Sequence, residues 1–202
     1  KKSKKPLITI GYGVRSSKDT ISNLKKIISK YKIPFTTTWN GSDIFSTNHN
    51  LNLGIIGMSG QRGANKAMFE ADLILCFGTH LSIPHTTTLF DSYAKQAKKI
   101  IVNIDKNQLN NLNVKFDLKI NCDLELFFKT LLKKNLNFNN EWRNLNQIKQ
   151  LNWYEPISKK NINSNFAVRI ITKKIKNKCI IVDGGGTALY AGFQSSFVNQ
   201  TD

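Results

Sequence analysis

The chain has 202 residues, 40% of them hydrophobic, and a formal net charge of +17. That length holds one large domain, or one domain with part of another, and the apolar share is enough for a real core. No apolar run approaches the roughly 20 residues that span a bilayer. The basic start, Lys1 to Pro6, runs into a strand pattern rather than a signal-peptide core. A membrane partner is therefore not expected, and the expected location is the cytoplasm.

In chain order, Leu7 to Ile10 is a short strand, followed at once by Gly11-Tyr12-Gly13. A helix comes next, from about Asp19 to Tyr31, with Ile21, Leu24, Ile27, Ile28 and Tyr31 on one face. Ile33 to Thr38 is a second strand, begun by Pro34. Strand, glycine turn, helix and strand make a βαβ unit. A complete dinucleotide fingerprint needs a third glycine where Ser16 stands, so a plain strand-to-helix turn explains the two glycines equally well. Gly41 to Gly60 reads as loop, and Arg62 to Glu70 as a helix with Ala64, Ala67 and Met68 inward.

The stretch from Ala71 to Asp105 organises the rest. Leu73 to Phe77 and Ile100 to Ile104 are apolar without polar alternation, the pattern of strands buried on both faces of a parallel sheet. The first ends in Gly78-Thr79 and the second in Asp105, and ligands of open parallel sheets bind at strand carboxyl ends. A helix over about Leu89 to Ala97 is expected between them. Phe116 to Ile120 is a poorer last strand, and Asp123 caps a helix burying Leu124, Phe127, Phe128, Leu131 and Leu132. This alternation predicts an α/β fold with a doubly wound parallel sheet.

Composition shifts at Lys133 toward Asn and Lys. A linker is expected there, with one helix near Glu141 to Gln150, clamped down by Trp142, Trp153 and Tyr154. Phe166 to Ile175 then reads as a helix, Cys179 to Val182 as a strand, and Asp183 to Thr187 as a glycine turn opening another helix. So few elements cannot bury a core of their own. The expected division is a central domain at 1–135, a linker at 136–162, and the truncated opening of a further domain at 163–202.

The net charge invites a nucleic-acid partner, but the lysines spread along helix faces and loops. No strand interleaves aromatics with arginines, and Lys is abundant together with Asn and Ile. Nucleic acid is not expected to bind. Cys76, Cys122 and Cys179 have no metal or redox spacing and read as buried small hydrophobes, and His49, His80 and His85 form no metal constellation.

Taken together, several segments resemble the thiamin-diphosphate-dependent enzymes of the acetolactate synthase type. They are Gly11 to Arg15, Ile33 to Trp39, Gly54 to Gly60 with Ala64-Asn65, Ala71 to Leu75, Gly78-Thr79, Asn103 to Asp105, and Asp123. Leu81-Ser82-Ile83 and Phe193-Gln194-Ser195 are similar to a branch associated with surface-polysaccharide biosynthesis.

The resemblance implies a Rossmann-like central domain followed by the start of the pyrophosphate-binding domain. The intact parent would be a transferase or lyase acting on a 2-keto acid with thiamin diphosphate and magnesium. The activating glutamate and the metal motif belong to domains outside this stretch. No catalytic or metal residue is therefore assigned, no cofactor is expected on the fragment, and the fragment alone is expected to be inactive.

The same resemblance puts Gly185, Gly186 and Thr187 at the diphosphate of thiamin diphosphate, in a turn whose backbone amides suit an anion. It puts FAD, in members that hold it, near Gly11, Gly13, Gly60, Gln61, Gly78, Thr79, Asp105 and Asp123. Many of those members carry an arginine where His80 stands, so an empty, structural site is expected over an FAD site. A stand-alone FAD- or NAD-binding module is the alternative. The expected partners are the parent's other domains and further copies of the chain, because Ile180 to Val182 would leave a strand edge uncovered.

Overall fold

Leu7, Ile8 and Ile10 can be covered on both faces only by elements distant in sequence, and the fold supplies them. A computed structural model describes residues 3–153, 162–175, 179–182 and 184–199. In it β1 (Pro6–Ile10) lies between β2 (Phe35–Thr37) and β4 (Leu73–Phe77), parallel to both. With β3 (Asn52–Ile55), β5 (Lys98–Asn103) and β6 (Leu118–Asn121) these strands form one parallel sheet of order β3-β2-β1-β4-β5-β6. The doubly wound α/β class follows from that order. β4 and β5 are adjacent and interior, as their unbroken apolar runs predict.

Alternate residues feed two cores. Leu7, Ile74, Cys76 and Ile101 face α2 (Arg62–Glu70), whose Ala64, Ala67 and Met68 are buried against them. Ile8, Ile10, Phe77 and Val102 face α1 (Lys18–Tyr31) and, through Phe128, α5 (Leu124–Leu132). Ser17 caps α1 by accepting from Thr20 N, and the helix ends at Lys32 in the left-handed region. The apolar faces expected for these three helices are the ones buried.

Several expectations need correction. Gly41 to Gly60 is not all loop: it holds β3, too short and too interrupted by Gly54 to stand out. The helix expected over Leu89 to Ala97 is a single 3-10 turn, Phe90–Ser92, following the short helix α3 (Ile83–Thr86). Tyr93, Ala94 and Ala97 are all buried there, and Ala94 adopts φ +44, which ends any helix. A further helix, α4 (Lys106–Asn110), starts at Asp105. Of the helix expected near Glu141 to Gln150, only α6 (Leu145–Gln150) forms, because Asn144 before it has φ +59.

The segment after α5 is clamped by Trp142, whose Nε1 donates to Pro6 O at 2.7 Å, and by Asn152, which bonds Gly63 N and Leu53 O. Trp153 lies under the guanidinium of Arg169, 3.6 Å from its ring centroid, while Tyr154 lies outside the described residues. α7 (Ser164–Lys174) and α8 (Gly186–Ser195) pack together. They rest on the sheet domain through Thr47 N to Val198 O at 2.9 Å and the stack of Trp39 on Phe193.

The strand expected at Cys179 to Val182 is not formed. Among the described residues no strand lies beside them to complete a ladder, and Ile181 is 85% exposed. Cys179 is accordingly exposed rather than buried; Cys76 is buried and Cys122 half-buried. Among the described residues no helix is long and apolar enough to cross a membrane.

Candidate functional site

The strand order reverses direction between β1 and β4, and the crevice of an open parallel sheet opens at such a switch point. Gly11, Gly13, Gly78 and Thr79 meet there. Gly11 N donates to Phe77 O and Gly13 N to Gly78 O, both at 2.9 Å. Gly78 holds φ +62, and a Cβ on Gly13 would stand 2.8 Å from Gly78 Cα. Glycine is needed here because two backbones touch. Thr79 is buried, and its hydroxyl accepts from Leu81 N at 3.2 Å.

The other candidates for the crevice sit at neighbouring strand ends and each has an internal partner. Gly60 N closes a turn onto Gly57 O at 2.9 Å. Gln61 accepts from Ile55 N at 3.0 Å and donates to Gln194 O at 2.6 Å, joining the sheet to α8. Asp105 caps α4, accepting from Asn107 N and Gln108 N. Asp123 caps α5, accepting from Glu125 N and Leu126 N.

A strap leaves β4 and reaches the far side of β1. It runs from Thr79 through α3 to Thr87, with Leu81 (φ +50) and Thr87 (φ +66) as left-handed corners. Met58 N, after β3, donates to Pro84 O at 2.9 Å. His85 meets the ring of Trp39, after β2, at 6.2 Å, and its Nδ1 bonds Ser82 Oγ at 3.0 Å. Burial, with a smaller effect from His80, pulls the His85 imidazolium down to about 4.

Two hollows open near the carboxyl edge of the sheet. A cavity of about 700 Å³ lies over the ends of β2 and β3, lined by Thr37, Trp39, Ile55, Lys149, Phe193 and Ser196 among others. A shallower cleft of about 450 Å³ lies between His80 to Pro84 and the Gln108 to Asn113 stretch. In the larger cavity, Trp39 Nε1 and Ser196 Oγ are buried polar atoms without a hydrogen-bond partner among the described residues. Lys149 donates to His49 O at 2.9 Å, and burial lowers its ammonium pKa. Sequence reasoning missed this cavity. Its walls come from residues more than a hundred positions apart, and of the residues proposed for a site from sequence only Gln61 lines it.

The turn Gly184-Gly185-Gly186-Thr187 opens α8, with φ +93 at Gly184 and +67 at Gly186, conformations that favour glycine. No side chain caps the helix, and a Cβ on any of the three glycines would meet nothing within 4 Å. An uncapped helix start in open space fits an anionic group such as a diphosphate. Asp183 lies outside the described residues.

Residues 1–131 match the family described as "Thiamine pyrophosphate enzyme, central domain". The chain belongs to this family. A probable acetolactate synthase large subunit of Methanococcus aeolicus is 32% identical over 163 residues, 77% of this chain and 26% of that protein. The acetolactate synthase large subunit of Buchnera aphidicola subsp. Schlechtendalia chinensis is 31% identical over 96% of this chain and 36% of its own length. A 3D-(3,5/4)-trihydroxycyclohexane-1,2-dione hydrolase of Clostridium tetani is 36% identical over 61% of this chain and 19% of its own length. The chain thus spans well under half of each relative. In this thiamine pyrophosphate enzyme central domain, the paired glycines at the switch point and the caps at the strand ends build the carboxyl edge of the sheet.

Proposed function

We propose that the chain is part of a thiamin-diphosphate-dependent enzyme that decarboxylates a 2-keto acid, with or without joining the product to an acceptor. The proposed parts are a central domain at 1–135, a linker at 136–162 and the opening of the diphosphate-binding domain at 163–202. The family match, joined to relatives described as acetolactate synthases, carries this reading. The uncapped glycine turn at Gly185, Gly186 and Thr187 supports it as the place where the cofactor's diphosphate would rest. When bound, thiamin diphosphate supplies the electron sink that decarboxylation of a 2-keto acid requires.

Among the described residues no three His, Cys, Asp or Glu side chains gather as a metal site. Magnesium and the catalytic base are therefore proposed to be held by other parts of the parent enzyme. That enzyme is proposed to be cytoplasmic and homo-oligomeric, without nucleic-acid or membrane partners, and to belong to the surface-polysaccharide branch. The alternative, a stand-alone nucleotide-binding module, has no comparable support.

The test measures thiamin- and magnesium-dependent release of carbon dioxide from pyruvate and other 2-keto acids. These 202 residues alone are expected to give none, and a longer protein carrying them is expected to turn over at least one such acid. Turnover by the 202 residues would refute the inactivity of the fragment. Failure of every longer form on all 2-keto acids would refute the reaction class.

A further inference from the structure

We propose that this central domain takes no dinucleotide, because its own strap, Thr79 to Thr87, lies across the crevice where FAD would extend. The strap leaves β4 and is fastened beyond β1 and β2 by the Met58 N to Pro84 O bond. The fit is tight: a side chain at Gly57 would collide with the backbone of Pro84 and His85. A dinucleotide needs one trough running past the switch point. Here there are two hollows, one over the turn after β1 and the ends of β2 and β3, the other beside His80 to Pro84, and no residue lines both.

The polar groups that would hold such a ligand are also engaged inside the protein. Gly11 N and Gly13 N, placed to meet a pyrophosphate, donate instead to β4 and to Gly78. Asp105 and Asp123, placed to accept from ribose hydroxyls, accept from helix amides. The Gln61 amide holds Ile55 N and Gln194 O. At the carboxyl end of β4 stands His80 rather than a guanidinium, so no fixed charge meets a phosphate there. Binding FAD across the crevice would require lifting the strap and releasing the Gly11, Gly13 and Gln61 bonds. The residues present do not fit the group that other members of the family hold here.

Three measurements on the chain as it stands test this. Protein purified from cells is denatured and its supernatant read for flavin fluorescence. FAD, and separately NAD, is titrated into native protein by calorimetry and followed by melting temperature. Hydrogen exchange is measured at the Met58 amide with and without FAD. The expected results are no stoichiometric flavin, no binding heat, no rise in melting temperature, and a protected Met58 amide whose rate FAD leaves alone. FAD in hundredfold excess over a true dissociation constant would raise the melting temperature by about 5–10 °C.

Stoichiometric flavin, saturable binding, or a Met58 amide exchanging as in an open loop would overturn the proposal. The variant His80→Arg separates the strap from the missing charge. It is expected to remain unable to bind, and FAD binding gained by that change alone would show that the strap does not exclude the ligand. None of these outcomes bears on the thiamin-diphosphate reading.

Discussion

β1 and the run from Cys179 to Val182 have nearly the same sequence character, short and aliphatic, and opposite fates. Every residue of β1 is buried between two parallel neighbours, whereas Ile181 is 85% exposed and no ladder forms around it among the described residues. The difference lies in the neighbours, since a strand's stability comes from cross-strand pairs and covered faces rather than from intrinsic propensity. The same contrast separates the two glycine turns. At the switch point Gly11, Gly13 and Gly78 press against one another, while around Gly184 to Gly186 a Cβ would meet only space. One end of the molecule is closed on itself and the other is open.

The sharpest way to break this comparison is to truncate one aliphatic side chain in each region. Ile8→Ala empties a fully buried site between α1 and the sheet and is expected to cost about 2–5 kcal/mol. Ile181→Ala is expected to stay within about 0.5 kcal/mol. Urea unfolding midpoints of the two variants check both, and a costly Ile181→Ala would mean that the run is covered in solution.

Acid acts on the closed end through the strap. His85 resists protonation in the folded protein down to about 4 because it is buried, with His80 adding a little, against an ordinary value of 6.5. Between those values the unfolded chain binds the extra proton. Stability present above about pH 6.5 is therefore lost as pH falls toward 4, by roughly 3 kcal/mol in full. His85→Gln is expected to flatten that window in a stability-versus-pH series, and an unchanged slope would show His85 to be solvated.

The smallest effect concerns a cap. Asp123→Ala removes the acceptor for Glu125 N and Leu126 N and is expected to cost about 1 kcal/mol by frayed α5 alone. A thermal scan measures it.

Periodicity by itself determined much of this protein. The apolar runs at Leu73 to Phe77 and Ile100 to Val102 announce interior parallel strands, although Ile104, expected in the second, lies past β5 and is exposed, and the 3.6-residue spacing of Leu24, Ile27, Ile28 and Tyr31 announces the face that α1 buries. Local chemistry also read correctly where one residue acts on its own neighbours, as Asp123 does on the helix it starts. Tertiary structure decided the rest, because burial and pairing depend on what a distant segment brings. Cys179 to Val182 needed a strand beside them, and the described residues supply none. Tyr93 and Ala94 turned inward and broke a helix that their own sequence would have carried on. The strap from Thr79 to Thr87 took its course from Met58 and Trp39, residues that no local pattern ties to it, because only the folded sheet brings the ends of β2, β3 and β4 to one edge, across β1.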